Sequence, residues 1–299
     1  MNEETLETRL RLHVYTLAAE IGERNVFRPG ALQAAAEYIT EEWRRQGYEV
    51  RPQTYQVRGV RSANLEVSRE GRGRPEEILL IGAHYDSVRG SPGANDNGSG
   101  VAALLEISRL FAQVESEITV RFVAFVNEEP PFFMWKNMGS LVYARAARRR
   151  GDRIRLMASL EMLGYYNNEP GSQHYPPLFR FFFPDRADFI AFVSNLRSRR
   201  AMLQAARAFQ AHSDFPLEYV TSFACIPGVA ASDHFSFWRQ GYPAFMVTDT
   251  AYYRYRYYHT AADTPDRICY PPFAQVTDGL YRAFAALASG ESSPSDKKA

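Results

Sequence analysis

Cysteine is nearly missing from this chain: only Cys225 and Cys269 occur in 299 residues. Two thiols cannot build a disulfide framework, and a structural zinc site made of four thiolates is excluded with it. Both are expected as free thiols in a reducing compartment. Net charge is also close to nil, with 35 Lys and Arg against 34 Asp and Glu, so there is no whole-chain electrostatic case for nucleic acid or anionic lipid. No apolar run approaches the roughly 18 residues that a membrane helix needs. The first seven residues, MNEETLE, are polar and acidic, without the basic and apolar regions of an export signal. The expectation is a cytoplasmic protein that engages neither nucleic acid nor membrane; its oligomeric state is left open. Histidine is scarce, at six residues, so any metal must sit on a short set of imidazoles and on carboxylates. What the chain has in quantity is apolar surface, 45% hydrophobic and 14% aromatic residues, which excludes disorder and suffices for one large core or two modest ones.

Apolar residues recur at helical spacing from Glu4 to Ile21 and from Ala31 to Trp43, where Gly47 closes the second run. Tyr48 to Val57 and Ala63 to Val67 alternate apolar and polar side chains, and with the Gly71 to Pro75 punctuation they predict a hairpin-like strand pair. Two continuous apolar runs, Glu77 to Ala83 and Ile118 to Val126, read as strands covered on both faces, with a helix from Gly98 to Gln113 between them. The alternation continues with a helix over Gly139 to Arg149, a strand over Ile154 to Leu160, and helical stretches at Ala187 to Leu196 and Arg199 to Ala211. A strand at Ala244 to Thr248 and a helix from Phe273 to Leu287 complete it. The pattern predicts one α/β domain over residues 1–289 with a mostly parallel, mixed central sheet sandwiched between helices. Residues 290–299 are polar and read as a disordered tail. Tyr165 to Pro184 is rich in Asn, Gly, Pro and aromatics without a period, and so long a loop is a candidate rim or lid.

In such a sheet ligands gather at the carboxyl ends of strands. His84 and Asp86 follow the first apolar run, Asn95 and Asp96 stand at a helix entrance, Glu128 and Glu129 end the second run, Glu161 follows Leu160, and Tyr258 and His259 lie beyond the last strand. The adjacent pair Glu128 and Glu129 would repel where burial is costly, and a positive centre would relieve it. Two histidines with several carboxylates form a donor set for two zinc ions, with positions left for water.

The strings GAHYDS (82–87), GANDNGSG (93–100), NEE (127–129), LEMLG (160–164) and YHT (258–260) with Asp263 and Thr264 resemble the double-zinc aminopeptidases of metallopeptidase family 28. That family also embraces carboxypeptidases and glutaminyl cyclases. The motifs agree in order and spacing from about Ile78 to Thr264, and their combination is specific although each alone is weak. The resemblance implies a zinc-exopeptidase fold of the phosphorylase/hydrolase-like type with two zinc ions per chain. It also implies that Asp96 bridges both metals, His84 and Glu161 complete one site, His259 and Glu129 complete the other, and Glu128 is the general base. Family aminopeptidases commonly carry Asp where this chain has Glu161, which still offers an oxygen but on a longer arm. Asp86 resembles the family's carboxylate that orients the ligand imidazole.

The expected chemistry is hydrolysis of a peptide or small amide by a water whose proton passes to Glu128, with Tyr258 offering a hydrogen bond to the oxyanion. Phe132, Phe133 and Trp135, with Tyr257, are candidates for an apolar substrate pocket, which leans the preference toward apolar side chains. Ser232, Asp233 and His234 cannot form a triad as consecutive residues and read as the start of a short helix. Two alternatives stay open: a single-zinc glutaminyl cyclase, and a non-catalytic binding module of the same fold. The five-ligand set favours the peptidase.

Overall fold

The computed structural model describes residues 5–177 and 179–290. The tail reading therefore lies, from residue 291 onward, outside the described residues. Helix α1 (Leu6–Tyr15) runs on through a wider turn to Ile21, and α2 (Pro29–Arg45) follows. Then come β1 (Arg51–Val57), β2 (Val60–Arg69), β3 (Arg74–His84), α3 (Gly100–Phe111), β4 (Ile118–Phe125), α4 (Gly139–Arg150) and β5 (Arg153–Glu161). The second half holds β6 (Ile190–Ser194), α5 (Arg199–His212), β7 (Leu217–Thr221), α6 (His234–Trp238), β8 (Ala244–Thr248) and α7 (Tyr270–Ser289).

The eight strands form one mixed sheet in the order β1-β2-β4-β3-β5-β8-β6-β7. The pairs β3–β4, β3–β5, β5–β8 and β6–β7 are parallel; β1–β2, β2–β4 and β6–β8 are antiparallel. Helices cover both faces because the central strands bury both. On one face Leu79, Ile81, Leu156, Ala158, Phe245 and Val247 pack in a cluster with residues of α1, α2, α3, α5 and α7. On the other, Ile78, Leu80, Met157 and Ala244 pack against Tyr143 and Ala144 of α4 and Phe237 of α6. Each fully buried aliphatic side chain contributes roughly 1.5–3 kcal/mol by leaving water, so the sheet that carries the site is rigidly held from both sides.

Two expectations are corrected. Ala187 to Leu196 is not helical: its centre is β6, buried along its length and bonded to β7 and β8. Its β-branched Ile190 and Val193 suit a strand covered on both faces, a case that apolar spacing alone does not separate from a buried helix. Its neighbour β7, a half-buried edge strand, went without an expectation. The strand pair near the N-terminus does form, but it turns at Arg58 and Gly59, both at positive φ. The Gly71 to Pro75 segment instead separates β2 from β3, and β2 pairs next with β4. Added bulk at Gly71 would strike the Ile118 backbone.

Candidate metal centre

Strands β3, β4, β5 and β8 point their carboxyl ends to one edge, and the turns there deliver every predicted ligand. His84 ends β3, Asp96 sits in the turn before α3, Glu128 and Glu129 follow β4, Glu161 ends β5, and His259 lies in the loop after β8. His84, Asp96, Glu128, Glu129 and Glu161 are buried, and His259 is part-exposed. His84 Nε2 lies 3.3 Å from Glu161 Oε2, 3.5 Å from Asp96 Oδ1 and 3.9 Å from Glu128 Oε2. His259 Nε2 lies 3.1 Å from Asp96 Oδ2 and 3.3 Å from Glu129 Oε2. The two oxygens of Asp96 thus face different histidines. His84, Asp96 and Glu161 form one ligand-sized group and Asp96, Glu129 and His259 a second; His84, Glu128 and Glu129 form a third. Of the three carboxylates facing His84 Nε2, that of Glu128 is the farthest.

The electrostatics of this cluster suit a cation. Four carboxylates and two imidazoles share a buried space, leaving an excess of negative charge even with both rings protonated. Burial opposes a proton on His84, yet the carboxylates of Glu161 and Glu128 raise its affinity well above the ordinary value. His259 is likewise pushed up to about 10 against its burial by Asp96 and Glu129. Burial raises the Glu128 carboxyl well above its usual range, with Glu161 and Glu129 adding to it. Glu129 is raised to about 8 by burial and by Asp96. His84 Nε2 and Glu129 Oε1 are buried without a hydrogen-bond partner, a costly arrangement for groups that only need protein neighbours. A divalent ion would satisfy both, and imidazole with carboxylate oxygens is a zinc-type donor set.

The surrounding residues fix the backbone that carries these side chains. Asp86 accepts the Glu128 N–H and the Glu129 N–H, each at 3.1 Å, one on each oxygen. Its Oδ1 is also 3.6 Å from His84 Nδ1. Asp263 accepts the N–H groups of Asn95 (2.8 Å) and Asp96 (3.1 Å) and the Tyr255 hydroxyl (2.7 Å). Asn97 Oδ1 accepts from Gly100 and Met162 while its amide donates to Leu160 O, which joins the Asp96 turn to the Glu161 strand end. Ser232 Oγ donates to Glu161 Oε2 at 2.7 Å. Arg24, fully buried, donates to the carbonyls of Tyr85 and Gly93. Its affinity for a proton drops to about 10 through burial, countered by Asp263, Asp86 and Asp96. Asn127, Met162 and His259 all have φ between 52° and 59°. Left-handed backbone at non-glycine residues costs energy, and its clustering at a site is a functional signal.

Asn97, Asp263 and Ser232 stood inside or beside the motifs, but their roles were not legible; nothing in the sequence marked Arg24. Tyr258 stacks on the His259 ring, with centroids 3.8 Å apart. With Glu161 it lines a cavity of about 100 Å³. Burial and the neighbouring carboxylates raise the Tyr258 hydroxyl, so it stays a donor. The residues expected to form an apolar pocket, Phe132, Phe133, Trp135 and Tyr257, stand apart from that cavity. Phe132 is in the core, Trp135 is 70% exposed, and none of the four lines that cavity. The predicted short helix after Ser232 is α6.

Residues 64–283 match the family model of peptidase family M28. The uncharacterized protein YfbL of Escherichia coli (strain K12) is 40% identical over 258 residues, 83% of this chain and 78% of its own length. A probable aminopeptidase of Saccharomyces cerevisiae, YDR415C, is 27% identical over 69% of this chain, which spans about half, 52%, of that protein. Among solved structures, the zinc aminopeptidase BSAP of Bacillus subtilis superposes with a TM-score of 0.77 at 16% identity, covering 98% of both chains. The fold is therefore that of the zinc aminopeptidases.

Proposed function

The chain belongs to peptidase family M28, and from the construction of its site we propose that it is a zinc-dependent aminopeptidase that binds two zinc ions. The observation that carries the reading is the division of Asp96 between two histidines, each with a carboxylate of its own. His84, Asp96 and Glu161 would hold one ion, and Asp96, Glu129 and His259 the other. When bound, the ions supply Lewis acidity that acidifies water and polarises a substrate carbonyl.

The remaining work belongs to the protein. Glu128, whose burial and neighbours keep its proton affinity high, is matched to take a proton from water and return it to the departing amine. Asp86 holds the Glu128 and Glu129 backbone and faces the rear nitrogen of His84, which orients base and ligands together. Tyr258, held neutral and stacked on His259, would donate a hydrogen bond to the developing oxyanion. The cavity bordered by Glu161 and Tyr258 would receive the side chain of the N-terminal residue. The single continuous sheet supports reading residues 1–289 as one catalytic domain. The free thiols of Cys225 and Cys269 fit a reducing, cytoplasmic setting, and no helix among the described residues is long and apolar enough to cross a membrane.

The test is elemental analysis after dialysis against limiting zinc, followed by aminoacyl chromogenic substrates. Two ions per chain and release of the N-terminal residue are expected. One ion, with cyclisation of an N-terminal glutamine, would replace the proposal with the cyclase, and none would leave a binding module. Glu128→Gln should retain its metal and lose turnover by at least about a hundredfold; loss of metal would make Glu128 a ligand.

A further inference from the structure

The cavity beside Glu161 extends away from the metal ligands along the sheet face that α4 and α6 cover farther in. Its floor is two cross-strand rows set by register. One runs Glu161, Thr248, Ala191, Glu218 through β5, β8, β6 and β7; the other runs Met246, Val193, Val220. At about 4.8 Å per strand, the Glu218 backbone stands roughly 14 Å from that of Glu161. One wall is aromatic: Phe183 stacks with Tyr175 and with Phe179, at centroid distances of 5.8 and 6.0 Å. The lining is thus mostly apolar, with Thr248, Thr250 and Gln173 as polar exceptions, between Glu161 and a carboxylate at the far end. The Glu218 carboxylate has no hydrogen bond or ion pair among the described residues, its backbone being paired with β6. Its burial and the nearby Asp188 both raise its proton affinity; the buried guanidinium of Arg254 bonds Gln173 and Thr250 of the lining, lies over Phe189 and faces Asp249 and Asp188, but makes no hydrogen bond or ion pair with Glu218.

We propose that Glu218 is a specificity-determining residue and that the cavity takes the side chain of an N-terminal arginine or lysine. This rests on the aminopeptidase reading above. The aliphatic stem lies along Ala191, Val193 and Met246, the cation reaches the Glu218 carboxylate, and the aromatic wall adds a favourable face for it. A leucine side chain fills only the near end and leaves Glu218 without a partner.

The test compares kcat/KM for arginyl, lysyl and leucyl p-nitroanilides in the zinc-loaded wild type and Glu218→Gln, an isosteric change on a part-exposed edge strand. The arginine-to-leucine ratio should fall on the order of ten- to a hundredfold, the worth of a hydrogen bond to a charged group. It should fall further in Glu218→Lys. A fall of less than fivefold in Glu218→Gln overturns the proposal. A second readout needs no turnover: the rise in Tm caused by L-argininamide against that caused by L-norleucinamide. A larger rise with argininamide that Glu218→Gln abolishes supports the subsite; equal rises in both proteins overturn it. If no anilide is cleaved but the argininamide effect depends on Glu218, the aminopeptidase reading fails and the cationic subsite stands.

Discussion

Replacing Asp86 with Asn tests whether the site is held by its supporting carboxylate. The Asp86 side chain is buried and accepts the N–H groups of Glu128 and Glu129, one on each oxygen at 3.1 Å, while Oδ1 faces His84 Nδ1 at 3.6 Å. Asparagine keeps one acceptor oxygen and turns an NH₂ group toward the other N–H. One charge-assisted hydrogen bond, about 1.5–3 kcal/mol, is lost, and the second is weakened to a neutral one. The expected destabilisation of the metal-free protein is therefore about 2–4 kcal/mol. The loss also frees the Glu128–Glu129 backbone and removes negative charge behind His84, so zinc affinity should fall by about 10–100-fold. Urea unfolding of the metal-free protein measures the first quantity, and competition with a chromophoric chelator measures the second. If Asp86→Asn unfolds within about 0.5 kcal/mol of wild type and binds zinc within threefold, the two N–H contacts do not organise the site and the reasoning is wrong.

Asp96→Ala should remove both metals and nearly all activity; retention of one equivalent of zinc would sink the shared-ligand arrangement. His234 is buried, accepts no second partner at Nδ1, and holds its proton less tightly than usual, down to about 4 from 6.5, because of burial. A base lowered in the folded state leaves its stability contribution intact above pH 6.5 and loses it as pH falls toward 4, about 3 kcal/mol at most at about 1.4 kcal/mol per pH unit. His234→Gln should flatten that part of the pH–stability curve measured by urea unfolding, and an unaltered slope would place the acid sensitivity elsewhere. Trp135→Ala should leave KM for aminoacyl anilides within twofold, whereas narrowing the cavity with Ala191→Phe should raise it at least tenfold; the reverse pattern would restore the pocket at Phe132 to Trp135.

The candidate ligands His84, Glu129 and Glu161 and the candidate base Glu128 were legible because each follows an apolar run, and strand ends in an α/β sheet converge on one edge; Asp96, at a helix entrance, and His259, in a loop, stood out through the motifs that resemble the family. Helices α2, α3, α4 and α7 were legible for a similar reason, since one apolar stripe at a period near 3.6 identifies its own face. β6 was misread because a strand buried on both faces carries no alternation. β7 escaped because an edge strand of five residues holding Glu218 and Tyr219 resembles a loop.

By itself, then, the sequence determined the residue types of the candidate centre, two histidines and four carboxylates, and the local elements that carry them. Tertiary structure decided which of them meet. Only the strand order, with β8 inserted between β5 and β6, brings His259 beside Asp96 and lines up Glu161, Thr248, Ala191 and Glu218 in one row. The cavity beside Glu161 and the hydrogen bonds from Asp263, Asn97, Ser232 and Arg24 are likewise products of packing. Local patterning reports how a segment buries its own apolar face; it carries no record of which distant segment completes that burial.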